Sequence, residues 1–180
     1  MIPATGRVIG FDLGAARIGV AICDSHQRVA SALATVSVAG DVEADRGALA
    51  RLVAEEEAVG VVVGLPLSLD GSVGPAARRI LDEIPALTAR LGGLEVETVD
   101  ERFTTVTANQ ALRAGVGSGE WATRRAAGGG GRSRPSGGPA RRSGGGARRG
   151  AEARQRVDSV AATLLLQSWL DRRGARGVAE

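Results

Sequence analysis

A chain of 180 residues has room for one domain with a sizeable core. Its single cysteine, Cys23, excludes an intramolecular disulfide; the opening "MIPATGRVIG" lacks the apolar core of a signal peptide, and no apolar run reaches ~18 residues, so the chain reads as soluble and cytoplasmic with no membrane segment. The net charge of +3 hides a split: residues 121–156 hold ten Arg and one Glu, net +9, which leaves −6 for the rest and excludes a generally basic globular surface.

Residues 8–11 and 18–23 read as two strands joined through "DLGAAR", a hairpin spacing. Asp12 sits in the middle of this apolar stretch, between Phe11 and Leu13. A dry, unpaired carboxylate is costly, so it needs a backbone N–H, an arginine or a metal ion as partner. Residues 29–38 supply a third strand. Residues 42–57 have helical spacing, with Leu49, Leu52 and Val53 on one face. "VGVVVGLPL" is a buried strand ended by Gly64 and Pro66. Residues 75–91 form a second helix that Pro85 is expected to kink or break. Residues 94–99 are a further strand, and 104–113 a short helix stopped near Gly115 and Gly117. Residues 157–173 form a last helix with an apolar stripe through Val160, Ala161, Leu164, Leu165 and Leu170. A three-strand meander followed by alternating helix and strand predicts an α/β fold, a mixed sheet with helices on both faces.

Residues 128–150, "GGGGRSRPSGGPARRSGGGARRG", have almost no apolar side chains to offset the entropy of ordering them. They are expected to be a flexible basic linker within an insertion at about 119–154 of one domain spanning 1–173, with 174–180 as a tail.

Three acidic positions stand at element ends, where distant parts of an α/β sheet converge: Asp12 after the first strand, Asp100 and Glu101 after a later one, Asp158 opening the last helix. Oxygen donors without a His/Cys set suit Mg²⁺ or Mn²⁺ better than zinc. Each also has a plainer use: Asp12 as a turn residue before Gly14, Asp100 or Glu101 as a cap near Thr104, Asp158 as a cap of the last helix.

"GFDLGAARIGVA", "VVVGLPLSLDG", "DERFTT" and "VDSVAATLLLQSWLD" occur in that order. Together they resemble the YqgF (RuvX-like) family of pre-16S rRNA nucleases, also described as Holliday-junction-resolvase-like proteins. The resemblance covers about residues 6–116 and 157–173. It implies a ribonuclease-H-like mixed five-stranded sheet with helices on both faces, and it places Asp12, Glu101 and Asp158 on the family's acidic triad. The implied activity is two-metal hydrolysis of phosphodiester bonds, with Mg²⁺ or Mn²⁺ as cofactor and Asp12 as bridging ligand. The implied partner is a nucleic acid: pre-rRNA first, branched DNA as the alternative. Monomer and homodimer are equally compatible with the sequence. Arg17, Asp70 and Arg102 are candidate substrate contacts; a surface ion pair for the arginines and a turn for Asp70 are the plainer readings. Gly14, Gly64 and Gly71 are candidate positions of close backbone approach. The sequence departs from the family before the last helix, where a short connection is stretched by some thirty residues. That stretch reads either as an RNA-binding arm or as a sequence irregularity, and Asp158 must return to the site across it.

Two readings from other classes compete. "FDLGAARIGVAICDS" also looks like the first phosphate loop of actin, Hsp70 and sugar kinases, but those close two such domains around ATP. A non-catalytic nucleic-acid-binding module would keep the fold and bind through the arginine-rich arm, with salt-dependent and sequence-independent affinity.

Overall fold

The computed structural model describes residues 1–101 and 145–177, and the side chains of the second segment from 158 to 175. Five strands, β1 (Val8–Leu13), β2 (Arg17–Cys23), β3 (Ala30–Ser37), β4 (Gly60–Leu65) and β5 (Val96–Asp100), form one sheet in the order β3-β2-β1-β4-β5. The first three make an antiparallel meander, and β4 and β5 run parallel to β1. Helices α1 (Val42–Glu55) and α2 (Pro75–Arg90) supply the crossovers, and α3 (Gly145–Gly177) follows at the C-terminal end.

Strand alternation divides the core in two. Ile9, Phe11, Val20, Val61 and Val63 pack with Leu49 and Val53 of α1 and Ile80 and Leu87 of α2. Val8, Ala21, Val62 and Val99 point the other way, against Ala162, Leu165, Leu166 and Trp169 of α3. β1 and β4 are therefore apolar on both sides, as central strands covered twice must be. Arg46 joins the two helices of the first layer by bridging Glu43 of α1 and Glu83 of α2. Asp41 caps α1, accepting from the amides of Glu43 at 3.0 Å and Ala44 at 3.3 Å. Asp41→Ala should cost about 1 kcal/mol, read as a lower urea midpoint at unchanged slope.

Three expectations change. β1 runs through Asp12 to Leu13 instead of stopping at Phe11, because Asp12 pairs with Gly19 and Leu13 with Ile18 across the hairpin. Helix α2 continues through Pro85. Pro85 lies on the exposed side, while Ala77, Ile80, Ile84 and Leu87 keep the apolar stripe unbroken and hold both halves against the sheet. Helix α3 starts at Gly145, well before 157, so it takes in the end of the glycine-rich stretch. "ARRGAEARQR" from 147 to 156 consists largely of strong helix formers, and this outweighs the single Gly150. Asp158 consequently lies inside the last helix and does not open it. The predicted helix at 104–113, Arg102, and residues 119–144 of the predicted insertion lie outside the described residues.

Candidate active site

The α3 side of the sheet collects the candidate residues, and strand period dictates which ones. In β1 that side takes Val8, Gly10 and Asp12; in β2 it takes Arg17, Gly19, Ala21 and Cys23. In β5, Glu97 accepts from the Trp169 indole N–H at 2.9 Å and Val99 packs under α3, so Glu101, two residues on, faces the same way. Asp100 alternates to the opposite side of the strand.

Two glycines let these groups meet. A Cβ at Gly64 would stand 2.3 Å from Glu101 Oε1 and 2.4 Å from Leu165 Cδ1, so the Glu101 carboxylate lies directly over the β4 backbone beside α3. A Cβ at Gly19 would stand 2.1 Å from the carbonyl oxygen of Asp158. Helix α3 thus rests its backbone on β2 opposite Asp12, and Asp158 is delivered to the sheet despite the long insertion before it. Gly64 is where close approach was expected. Gly19 was missed, although a glycine inside an otherwise β-branched strand, "RIGVAI", is the signal for it.

Arg17 Nε donates to Asp158 Oδ2 at 2.7 Å, with both side chains 29% exposed. The Asp12 carboxyl is pushed above its usual range, first by burial and then by the nearby Asp158 charge. Glu101 is pushed up to about 7, by burial first, then by Asp12, then by Asp100. Asp12 is therefore the shared neighbour of two other carboxylates. Among the described residues no three acidic, His or Cys side chains close around a single ion; the like charges come as pairs, Asp12 with Asp158 and Asp12 with Glu101. Asp70 lies in the loop between β4 and α2, where its carboxylate accepts from the amide and hydroxyl of Ser72 at 2.9 and 2.7 Å. Trp169 is 6% exposed and belongs to the core.

The raised carboxyl of Glu101 has a sign. A group that holds its proton more tightly folded than unfolded stabilises the fold below its ordinary value of 4.5 and loses that contribution as pH rises through about 7. Metal-free protein should therefore melt lower at pH 8 than at pH 5. Allowing for solvent screening of a partly exposed group, the loss is about 1–2 kcal/mol, or roughly 2–8 °C. Glu101→Gln should flatten most of this dependence in thermal melts with EDTA present. Equal melting temperatures of the parent protein at both pH values would contradict the buried placement of Glu101.

The family model described as "RuvX: Holliday junction resolvase" matches residues 6–125. The chain belongs to the RuvX family. The match spans β1 to β5 and ends before α3, so Asp158 lies beyond it and owes its place to the docking at Gly19. A relative from Mycobacterium sp. (strain KMS) is 38% identical over 174 residues, covering 96% of this chain and 84% of the relative. One from Anaeromyxobacter dehalogenans (strain 2CP-C) is 37% identical over 168 residues, covering 93% of this chain and 98% of the relative. Both carry the name "Putative pre-16S rRNA nuclease". The structure of T. thermophilus RuvC in complex with Holliday junction substrate matches with a TM-score of 0.48 and 15% identity, over 94% of this chain and 96% of that chain. Among the described residues no helix is long and apolar enough to cross a membrane.

Proposed function

We propose that this RuvX-family chain is a metal-dependent nuclease that hydrolyses phosphodiester bonds, with precursor 16S rRNA as substrate and the maturation of its 5′ end as the reaction. The observation that carries the reading is the meeting of Asp12, Glu101 and Asp158 on one face of the sheet, from three elements distant in sequence. Burial and neighbouring carboxylates push the Asp12 and Glu101 carboxyls up, which favours a cation here, and an all-oxygen donor set suits Mg²⁺ or Mn²⁺. Asp12, common to both pairs, would be the shared ligand, with Glu101 and Asp158 each completing one side. Bound cations supply a water of lowered pKa and charge to stabilise the leaving oxygen. The chain itself carries Asp12 on β1, Glu101 directly after β5 and Asp158 on α3, and sets Arg17 of β2 against Asp158 on the same face. Arg102 and Asp70 remain proposed substrate contacts, Asp70 through a turn already formed by its own loop. The names of the relatives favour RNA over the junction named for the family.

The test sets a precursor-rRNA fragment beside a synthetic four-way DNA junction, in Mg²⁺ and in EDTA. Metal-dependent cutting of the RNA at a defined position is the expected result. Cutting of the junction alone would transfer the assignment to DNA. Binding of either without cutting would make the chain a nucleic-acid-binding module.

A further inference from the structure

Among the described residues, the Arg17 guanidinium is held through Nε alone. Among the described residues its side chain makes one hydrogen bond, from Nε to Asp158, so the two Nη groups take no part in it. Arginine recognises phosphate best through a fork of two parallel N–H donors, and this contact uses only one nitrogen. The backbones on both sides are fixed. Arg17 pairs with Ser37 at the end of β2, and the Asp158 carbonyl rests on Gly19. The Arg17 side chain can therefore change partners without moving either backbone.

The charges favour such a change once a cation arrives. A divalent ion on Asp158 and a guanidinium on the same carboxylate repel each other at short range in a partly desolvated site. Among the described residues, Asp12, Glu101 and Asp158 outnumber Arg17 on this face, which leaves it net negative once they are ionised. A phosphate entering it needs a cationic partner, and Arg17 is the arginine that the described residues bring against Asp158.

We propose that Arg17 and a divalent cation are alternative partners of Asp158, and that a nucleic-acid phosphate, by taking Arg17, hands Asp158 to the cation. This rests on the nuclease reading for the identity of the ligands. The consequence is reciprocal: nucleic acid tightens metal binding, and metal tightens nucleic-acid binding by the same factor. Before substrate arrives the arginine keeps the site in a poorly metallated state.

The test follows free Mn²⁺ by its paramagnetic resonance signal during titration of the full chain, so no cleavage is read. Arg17→Gln should bind Mn²⁺ about tenfold more tightly than the parent in the absence of nucleic acid. In an Asp158→Asn background the same substitution should change nothing. A short phosphorothioate RNA oligonucleotide, slow to hydrolyse, should tighten Mn²⁺ binding to the parent by about tenfold and to Arg17→Gln by less than about twofold. Arg17→Lys, which keeps the charge and guards against a folding defect in the glutamine variant, should stay close to the parent without oligonucleotide. Weaker or unchanged Mn²⁺ binding by Arg17→Gln overturns the proposal, because Arg17 would then orient Asp158 or be indifferent to it. An oligonucleotide that leaves the parent's Mn²⁺ affinity unchanged overturns it as well. Exchange without cutting of any nucleic acid would refute the nuclease and leave the exchange standing; cutting without a gain in Arg17→Gln would do the reverse.

Discussion

Asp12→Asn should abolish phosphodiester hydrolysis, by at least about a thousandfold, and leave the metal-free protein as stable as the parent or more so. Both halves follow from one placement. Asp12 lies inside β1, paired with Gly19, with burial and the Asp158 charge each opposing its ionisation. Asparagine has the same shape without the charge, so the fold loses a source of repulsion and keeps its packing. The proposed chemistry, by contrast, loses the carboxylate common to both acidic pairs. Thermal melts give the sign of the stability change, and cleavage of the precursor-rRNA fragment gives the activity. Mg²⁺ added together with a slowly hydrolysed phosphorothioate RNA should raise the melting temperature of the parent, by binding the folded state, and do little for Asp12→Asn. Unchanged cleavage by Asp12→Asn would remove this residue from the chemistry.

Gly19→Ala should be the most damaging addition of a single methyl to the sheet. The new Cβ would stand 2.1 Å from the Asp158 carbonyl oxygen and 2.8 Å from its carbonyl carbon, and these are backbone atoms that no rotamer can move. Either α3 lifts or β2 bends. Overpacking of this kind costs about 3 kcal/mol, a drop of roughly 6–12 °C for a chain of this size. Activity should fall further than stability explains, since the displaced residue carries a candidate ligand. Gly174→Ala on the same helix is the control: nothing lies within 4 Å of its Cβ, so the helix preference of alanine should make it neutral or stabilising by up to about 1 kcal/mol. Equal effects of the two substitutions would refute the close contact at Gly19.

The sheet was readable because its signals are local. "VIGF", "RIGVAIC" and "GVVVGL" carry period and β-branching in single short windows, and the hairpin spacing fixes how the first two pair. The oddity of Asp12 was readable too, as a charge in a run that packing buries. What could not be read is set by partners far away in sequence. Pro85 was expected to kink or break α2; the helix does not break, and the stripe of Ile80, Ile84 and Leu87 holds it to the sheet. The start of α3 was hidden by glycines around 145 that composition assigns to a linker. The pairing of Arg17 with Asp158 spans 141 residues, and no spacing rule reaches across that distance. The raised carboxyl of Glu101 likewise depends on Gly64, Leu165 and Asp12 meeting in space.

Helix α3, which brings Asp158 and covers Val8, Ala21, Val62 and Val99, comes after all five strands in chain order. A chain that has emerged only as far as residue 101 carries Asp12 and Glu101 without Asp158, and lacks the helix that packs on this face of the sheet. A chain cut short before α3 keeps an uncovered apolar sheet face, the feature that chaperones and proteases recognise, so truncated products are marked for removal before they acquire a complete site.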